Sequence, residues 1–157
     1  QTFELNLNKG WNLISIPLKN FKIEENTCKI TSGPWYYDAE KEKFVRVKIE
    51  ELEFGKGYWF YVRDSCKIKV SGDVVNTLDD FPRLYKGWNL IGSLKERINV
   101  YEYRGDCEIK AVFYYDAANK KWIRTNELVP GYGHFIYTAN NCKLGEGLPP
   151  PPPSQQS

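Results

Sequence analysis

The chain has 157 residues, a formal net charge of +2 from 22 Lys and Arg against 20 Asp and Glu, four cysteines, one histidine and no methionine. The near balance of charge excludes the basic stripe of a nucleic-acid binder, and no apolar run approaches the length of a membrane span. Aromatic residues make up 15 % of the chain, so much apolar area is available to small cores.

Residues 2–7 alternate, with Phe3, Leu5 and Leu7 on one face and Glu4 and Asn6 on the other, the pattern of a half-buried strand. Asn8-Lys9-Gly10 then turns the chain. Residues 11–18 read as a second strand, stopped near Pro17 and expected to pair with the first as a hairpin. Residues 19–27 are the least regular stretch, with room for one helical turn around Ile23-Glu24-Glu25. Residues 35–38 and 43–49 read as a hairpin whose tip begins at Asp38, a residue suited to fold its carboxylate back onto tip amides. Gly55-Lys56-Gly57 leads into the strand Tyr58-Trp59-Phe60-Tyr61-Val62 and not into a helix. Its glycines are therefore read as turn or bulge positions and not as a phosphate cradle. A closing strand is expected from Cys66, paired back on the strand before it.

The whole plan then recurs. Lys9-Gly10-Trp11-Asn12-Leu13-Ile14 returns as Lys86-Gly87-Trp88-Asn89-Leu90-Ile91, and Tyr36-Tyr37-Asp38-Ala39 as Tyr114-Tyr115-Asp116-Ala117. Gly55-Lys56-Gly57 is answered by Gly131-Tyr132-Gly133. The offset is 77 at Gly10/Gly87, 78 at Asp38/Asp116 and 76 at Gly55/Gly131. A near-constant offset means two copies of one module with short loop changes. The expected division is residues 1–72 and 81–147 as modules, 73–80 as linker and 148–157 as a proline-rich tail. Residues 81–85 and 88–94 should repeat the first two strands. Residues 95–106 should be irregular.

Internal symmetry pairs Cys28 with Cys66 and Cys107 with Cys142, out of three pairings that four cysteines allow. Such bridges belong to an oxidising compartment or to a hyperthermophile. A start at Gln1 fits a mature form whose signal peptide has been removed. The excess of Lys and Glu over Gln leans toward a thermophile. The fold class expected is all-β: two small antiparallel modules, sandwich or barrel-like, each with one internal disulfide.

These motifs together resemble a repeat domain of archaeal and bacterial secreted and cell-surface proteins. In that domain a strand beginning Gly-Trp-Asn-Leu opens the module and a Pro-Gly-x-Gly-Tyr-Trp strand closes it. Gly10-Trp11-Asn12-Leu13 and Gly55-Lys56-Gly57-Tyr58-Trp59 match most closely. The first copy has Phe54 in place of proline, the second replaces Tyr-Trp with His134-Phe135, and the cysteines are additions. The resemblance implies an extracellular accessory or surface-layer-like module and brings no catalytic residues.

Three functions compete. A structural subunit of a surface filament or layer would assemble through its β modules, with Thr2, Phe3, Leu5 and Leu7 as the candidate assembly strand. Its partners would be further copies or other cell-surface proteins. A carbohydrate-binding or adhesion module would use Trp35, Tyr36, Trp59, Tyr114 and Trp122 as a platform for glycans. Trp11 and Trp88, repeated beside leucines, are read as core. An enzyme is disfavoured, since His134 stands where the first copy has Tyr58 and no nucleophile motif accompanies it. No catalytic residue, metal or cofactor is expected. Asp79-Asp80 reads as a solvated acidic loop, with calcium as the sharper alternative.

Overall fold

The computed structural model describes residues 1–146. Every regular element there is a strand or a short 3-10 turn, and the chain folds as two homologous antiparallel β modules, each with one internal disulfide. The sequence-proposed tail lies outside the described residues.

In the first module β1 (Thr2–Leu7), β3 (Lys19–Asn26) and β7 (Cys66–Asp73) form a three-stranded sheet in the order β1-β7-β3. A four-stranded sheet, β2-β6-β4-β5, is built from β2 (Gly10–Ile14), β4 (Ile30–Asp38), β5 (Lys43–Arg46) and β6 (Tyr58–Val62). Leu5, Leu7, Ile14, Phe60, Val62, Ile68 and Val70 share one buried core fed by both sheets, the arrangement of a small sandwich.

The expected hairpin of the first two strands does not form. β1 pairs with β7 and β2 with β6, so Asn8-Lys9-Gly10 carries the chain from one sheet to the other. Nor does β7 pair back on β6; it is the centre of the first sheet. Two buried faces drive this: Leu5 and Leu7 must meet Ile14 across a core, which strands of one flat hairpin cannot do. The stretch read as least regular is the strand β3. Phe21 and Ile23 alternate with Lys22 and Glu24 along it, and register shifts between Lys19 and Lys22 and between Ile23 and Glu25 interrupt its pairing with β7. Phe21 and Ile23 pack against the core and the charged side chains stay outside, as suits a sheet edge.

The second module repeats the four-stranded sheet with β8 (Gly87–Ile91), β10 (Ile109–Asp116), β11 (Lys121–Arg124) and β13 (His134–Thr138), in the order β11-β10-β13-β8. Its other layer is reduced. Residues 81–85, expected as a strand, make only a bridge between Leu84 and Cys142. Pro82 supplies no N–H for a ladder. The short β9 (Ile98–Asn99) and β12 (Glu127–Leu128) pair beside a 3-10 turn. Leu78, in the stretch read as linker, is buried in this module's core with Phe81 and Leu84. The Lys143 ammonium holds the same stretch, donating to the carbonyls of Leu78 (3.3 Å), Asp79 (2.8 Å) and Phe81 (2.8 Å).

The disulfides Cys28–Cys66 and Cys107–Cys142 follow the symmetry reading. Structural disulfides suggest an oxidising, extracellular-type environment. No helix among the described residues is long and apolar enough to cross a membrane.

The repeated Gly-Trp-Asn-Leu-Ile has a physical reason at each residue. Gly10 and Gly87 sit at φ +102° and +108°, a region side chains avoid. Asn12 is buried because it locks the turn: Asn8 N–H donates to its Oδ1 (3.0 Å) and its Nδ2 donates to Asn8 O (2.7 Å). Asn89 does the same with Tyr85. Ile14 and Ile91 enter their own cores. Leu13 and Leu90 belong to neither core and lie between the modules, Leu13 beside Gly133 and Leu90 beside Gly57.

A pseudo-two-fold axis relates the modules. Ile14 bridges Tyr132, and in the matching position Ile91 bridges Lys56. Ser15 N–H donates to Gly131 O (2.9 Å) and Gly92 N–H to Gly55 O (2.8 Å). The buried hydroxyls of Ser15 and Ser93 meet at 2.8 Å. Ser15 donates onward to Tyr132 O, and Ser93 accepts from Gly131 N–H. These buried hydroxyls are hydrogen-bonded across the junction, as buried polar groups require.

Candidate functional site

Alternation along the two four-stranded sheets sends one set of side chains into each core and the other outward. The outward set is aromatic. On the first module it contains Trp11, Trp35, Tyr37, Phe44, Trp59 and Tyr61. On the second it contains Trp88, Phe113, Tyr115, Trp122, Phe135 and Tyr137. Cross-strand contacts knit each set, as between Trp11 and Tyr61 (5.1 Å between ring centres) and between Trp88 and Tyr137 (5.1 Å).

The two sets are continuous across the junction. Trp59 lies 5.4 Å from Tyr115 and 5.7 Å from Trp122, and Tyr37 lies 6.2 Å from Phe135. Two solvent-open apolar grooves result. One, of about 460 Å³, is lined by Trp11, Trp35, Phe44, Trp59, Tyr115 and Trp122. The other, of about 580 Å³, is lined by Tyr37, Phe44, Trp88, Phe113, Trp122 and Phe135. Each lining residue of one groove has its repeat counterpart in the other. The grooves are therefore symmetry images, with Phe44 and Trp122 shared between them. Among the described residues those two rings are also the most exposed large apolar side chains, at 49 % and 50 %.

Of the aromatic residues singled out from sequence, Trp35, Trp59 and Trp122 meet in the first groove. Tyr36 and Tyr114 do not. Tyr36 packs on the first core, 5.8 Å from Tyr58, with the Lys56 ammonium 4.6 Å from its ring centre. Burial, with Asp38 and Glu53 nearby, pushes its phenol up to about 12. Tyr114 packs on Tyr132 and His134.

Trp11 and Trp88, read as core, are 41 % exposed and belong to the grooves. The neighbouring leucines misled the sequence reading, because Leu13 and Leu90 are buried by the opposite module and not by their own.

β1 is paired with β7 at every position from Thr2 to Leu7. Leu5 and Leu7 are core residues, and Phe3 lies against Gly131 of the second module. Asp38 and Asp116 cap the hairpin tips as expected: Asp38 accepts from the amides of Glu40 and Lys41, and Asp116 from those of Ala118 and Asn119. Hydrogen bonds from Asn119 hold the Asp116 carboxyl below its usual range. Asp80 pairs with Lys19 at 2.8 Å.

His134 is fully buried. Its Nε2 accepts from Val129 N–H (2.9 Å) and its Nδ1 lies 3.1 Å from Gly92 O. The first partner fixes the tautomer, so Nδ1 carries the proton and donates to Gly92. In the first module the Tyr58 hydroxyl accepts from Glu53 N–H at the same place (2.9 Å). The histidine is thus a structural substitute for a tyrosine.

Burial lowers the His134 pKa from 6.5 to about 3. The folded chain keeps it neutral while the unfolded chain protonates below 6.5, so the unfolded state binds more protons in this window. Stability is full above pH 6.5 and falls as the pH drops toward 3, by about 1.4 kcal/mol per unit. With one histidine in the chain, urea midpoints between pH 6.5 and 5 should record this slope. The variant His134→Tyr should flatten it.

The chain matches no protein-family model, no curated protein and no solved structure.

Proposed function

We propose that the protein is a structural subunit of the cell exterior that assembles, with further copies or other surface proteins, through its aromatic face. The observation that carries this is the pair of symmetry-related grooves centred on Phe44 and Trp122. An exposed apolar patch of this kind marks an interaction surface, and tryptophan and tyrosine dominate interface energetics. The disulfides and the motif resemblance support the extracellular placement.

The carbohydrate reading is weaker. A sugar-stacking platform needs a flat aromatic surface with hydrogen-bonding groups beside it. Here Trp11 and Trp59 stand at 82° and Trp59 and Trp122 at 90°, so the rings present edges to one another and no flat stacking surface.

Negative-stain microscopy of native material tests the proposal. Regular fibres or sheets are expected, and Phe44→Ser with Trp122→Ser should abolish them. Isolated particles together with glycan binding that is lost in Trp35→Ala would instead establish the accessory-module alternative.

A further inference from the structure

We propose that the first groove takes the proline run 149–153 of a neighbouring copy, an inference that rests on the assembly reading above. Proline-rich segments are recognised in the polyproline II conformation, and aromatic-lined grooves are the recurrent receptor for that conformation. The run lies beyond the last described residue, Glu146, so the chain carries a ligand of this class alongside its own receptor surface.

Hydrogen-bonding chemistry matches the two. Proline has a carbonyl acceptor and no N–H, so a polyproline ligand needs donors from its receptor. Among the described residues only Trp35 uses its indole N–H internally, donating to Ser32 Oγ at 3.0 Å. The indoles of Trp11, Trp59 and Trp122 reach no acceptor there, and all three line the first groove. No carboxylate lines it to compete for them. The second groove has Phe135 where the first has Trp59, and so offers fewer donors.

Size also agrees. Trp11, Trp59 and Trp122 follow one another at ring-centre spacings of 5.9 and 5.7 Å. Five prolines at about 3.1 Å each span roughly 15 Å, enough to lie across all three rings. Tail into groove is a contact between unlike surfaces, and repeating it from copy to copy generates a ring where the rotation closes and an open filament where it does not.

The test uses the full chain with all five prolines changed to serine. Light scattering should show assembly in the parent and single chains in the variant. A synthetic peptide of residues 148–157 added to that variant should shift the indole N–H signals of Trp11, Trp59 and Trp122. Trp59→Phe, which keeps the ring and loses the donor, should weaken the peptide about tenfold, the effect of losing one good contact. If the serine variant still assembles and the peptide moves no indole signal, the tail proposal is overturned and the assembly reading stands. If the parent stays a single chain at every concentration, both fail, whether or not the peptide binds.

Discussion

Changing Cys107 and Cys142 together to serine is expected to remove about 4 kcal/mol of stability, the chain-entropy value for closing a loop of this length. The bridge spans a sequence separation of 35, and the matching Cys28–Cys66 bridge spans 38, so loop closure alone predicts nearly equal losses. Packing breaks the tie. Cys142 is fully buried and pairs with Leu84 through two backbone hydrogen bonds of 2.8 and 2.9 Å. Two isolated bridges, this one and Arg104–Gly145, stand where the first module has a three-stranded sheet. Cys66, by contrast, starts an eight-residue strand paired on both sides, which holds its place without the sulfur. The second pair should therefore cost more than the first. Urea unfolding of the two double variants checks this. Equal losses would show that the reduced layer of the second module is not its weak point.

Changing Gly57 to valine is expected to cost about 3 kcal/mol, the upper range for overpacking a fixed core. A Cβ on Gly57 would stand 2.7 Å from Ile91 O and 2.9 Å from the Cα of Gly133. Both obstacles are backbone, so no rotamer change relieves them. The counterpart Gly133 would meet Gly57 Cα and Ile14 O at 3.1 Å. The two glycines thus touch on the pseudo-two-fold axis, and either substitution parts the modules. In a chain of this size the melting temperature should fall by roughly 10 °C. Gly145→Ala, where a Cβ meets nothing within 4 Å, should stay within about 0.5 kcal/mol. A junction that pivots freely would instead absorb Gly57→Val at little cost.

What could be read from the sequence depended on whether a residue's environment is local. The aspartates at the hairpin tips act on amides two and three residues away, and their role was legible. Gly55 and Gly131 were read as turn glycines and do adopt φ +89° and +84°. The cysteine pairing followed from the repeat alone. Sheet membership did not, because adjacency along the chain suggested that β1 and β2 pair, whereas the shared core separates them into two layers. Gly57 and Gly133 read from the sequence as turn glycines, but their need for glycine comes from the opposite module: Ile91 and Gly133 stand against Gly57, and Ile14 and Gly57 against Gly133. Trp11 and Trp88 failed for the same reason, since the leucines beside them are covered by the other module. The aromatic face was half legible: Trp35, Trp59 and Trp122 were singled out, while Phe44, shared by both grooves, reads from sequence as an ordinary strand residue.

Light scattering across a concentration series, on the parent chain and on the Phe44→Ser, Trp122→Ser double variant, tests the central claim most directly. Truncating two exposed rings at the centre of an interface should cost at least about 2 kcal/mol each in association while leaving both cores intact. The expected result is a mass that grows with concentration for the parent and a constant single-chain mass for the variant. A parent that remains a single chain throughout, with the same mass as the variant, would contradict assembly through the aromatic face.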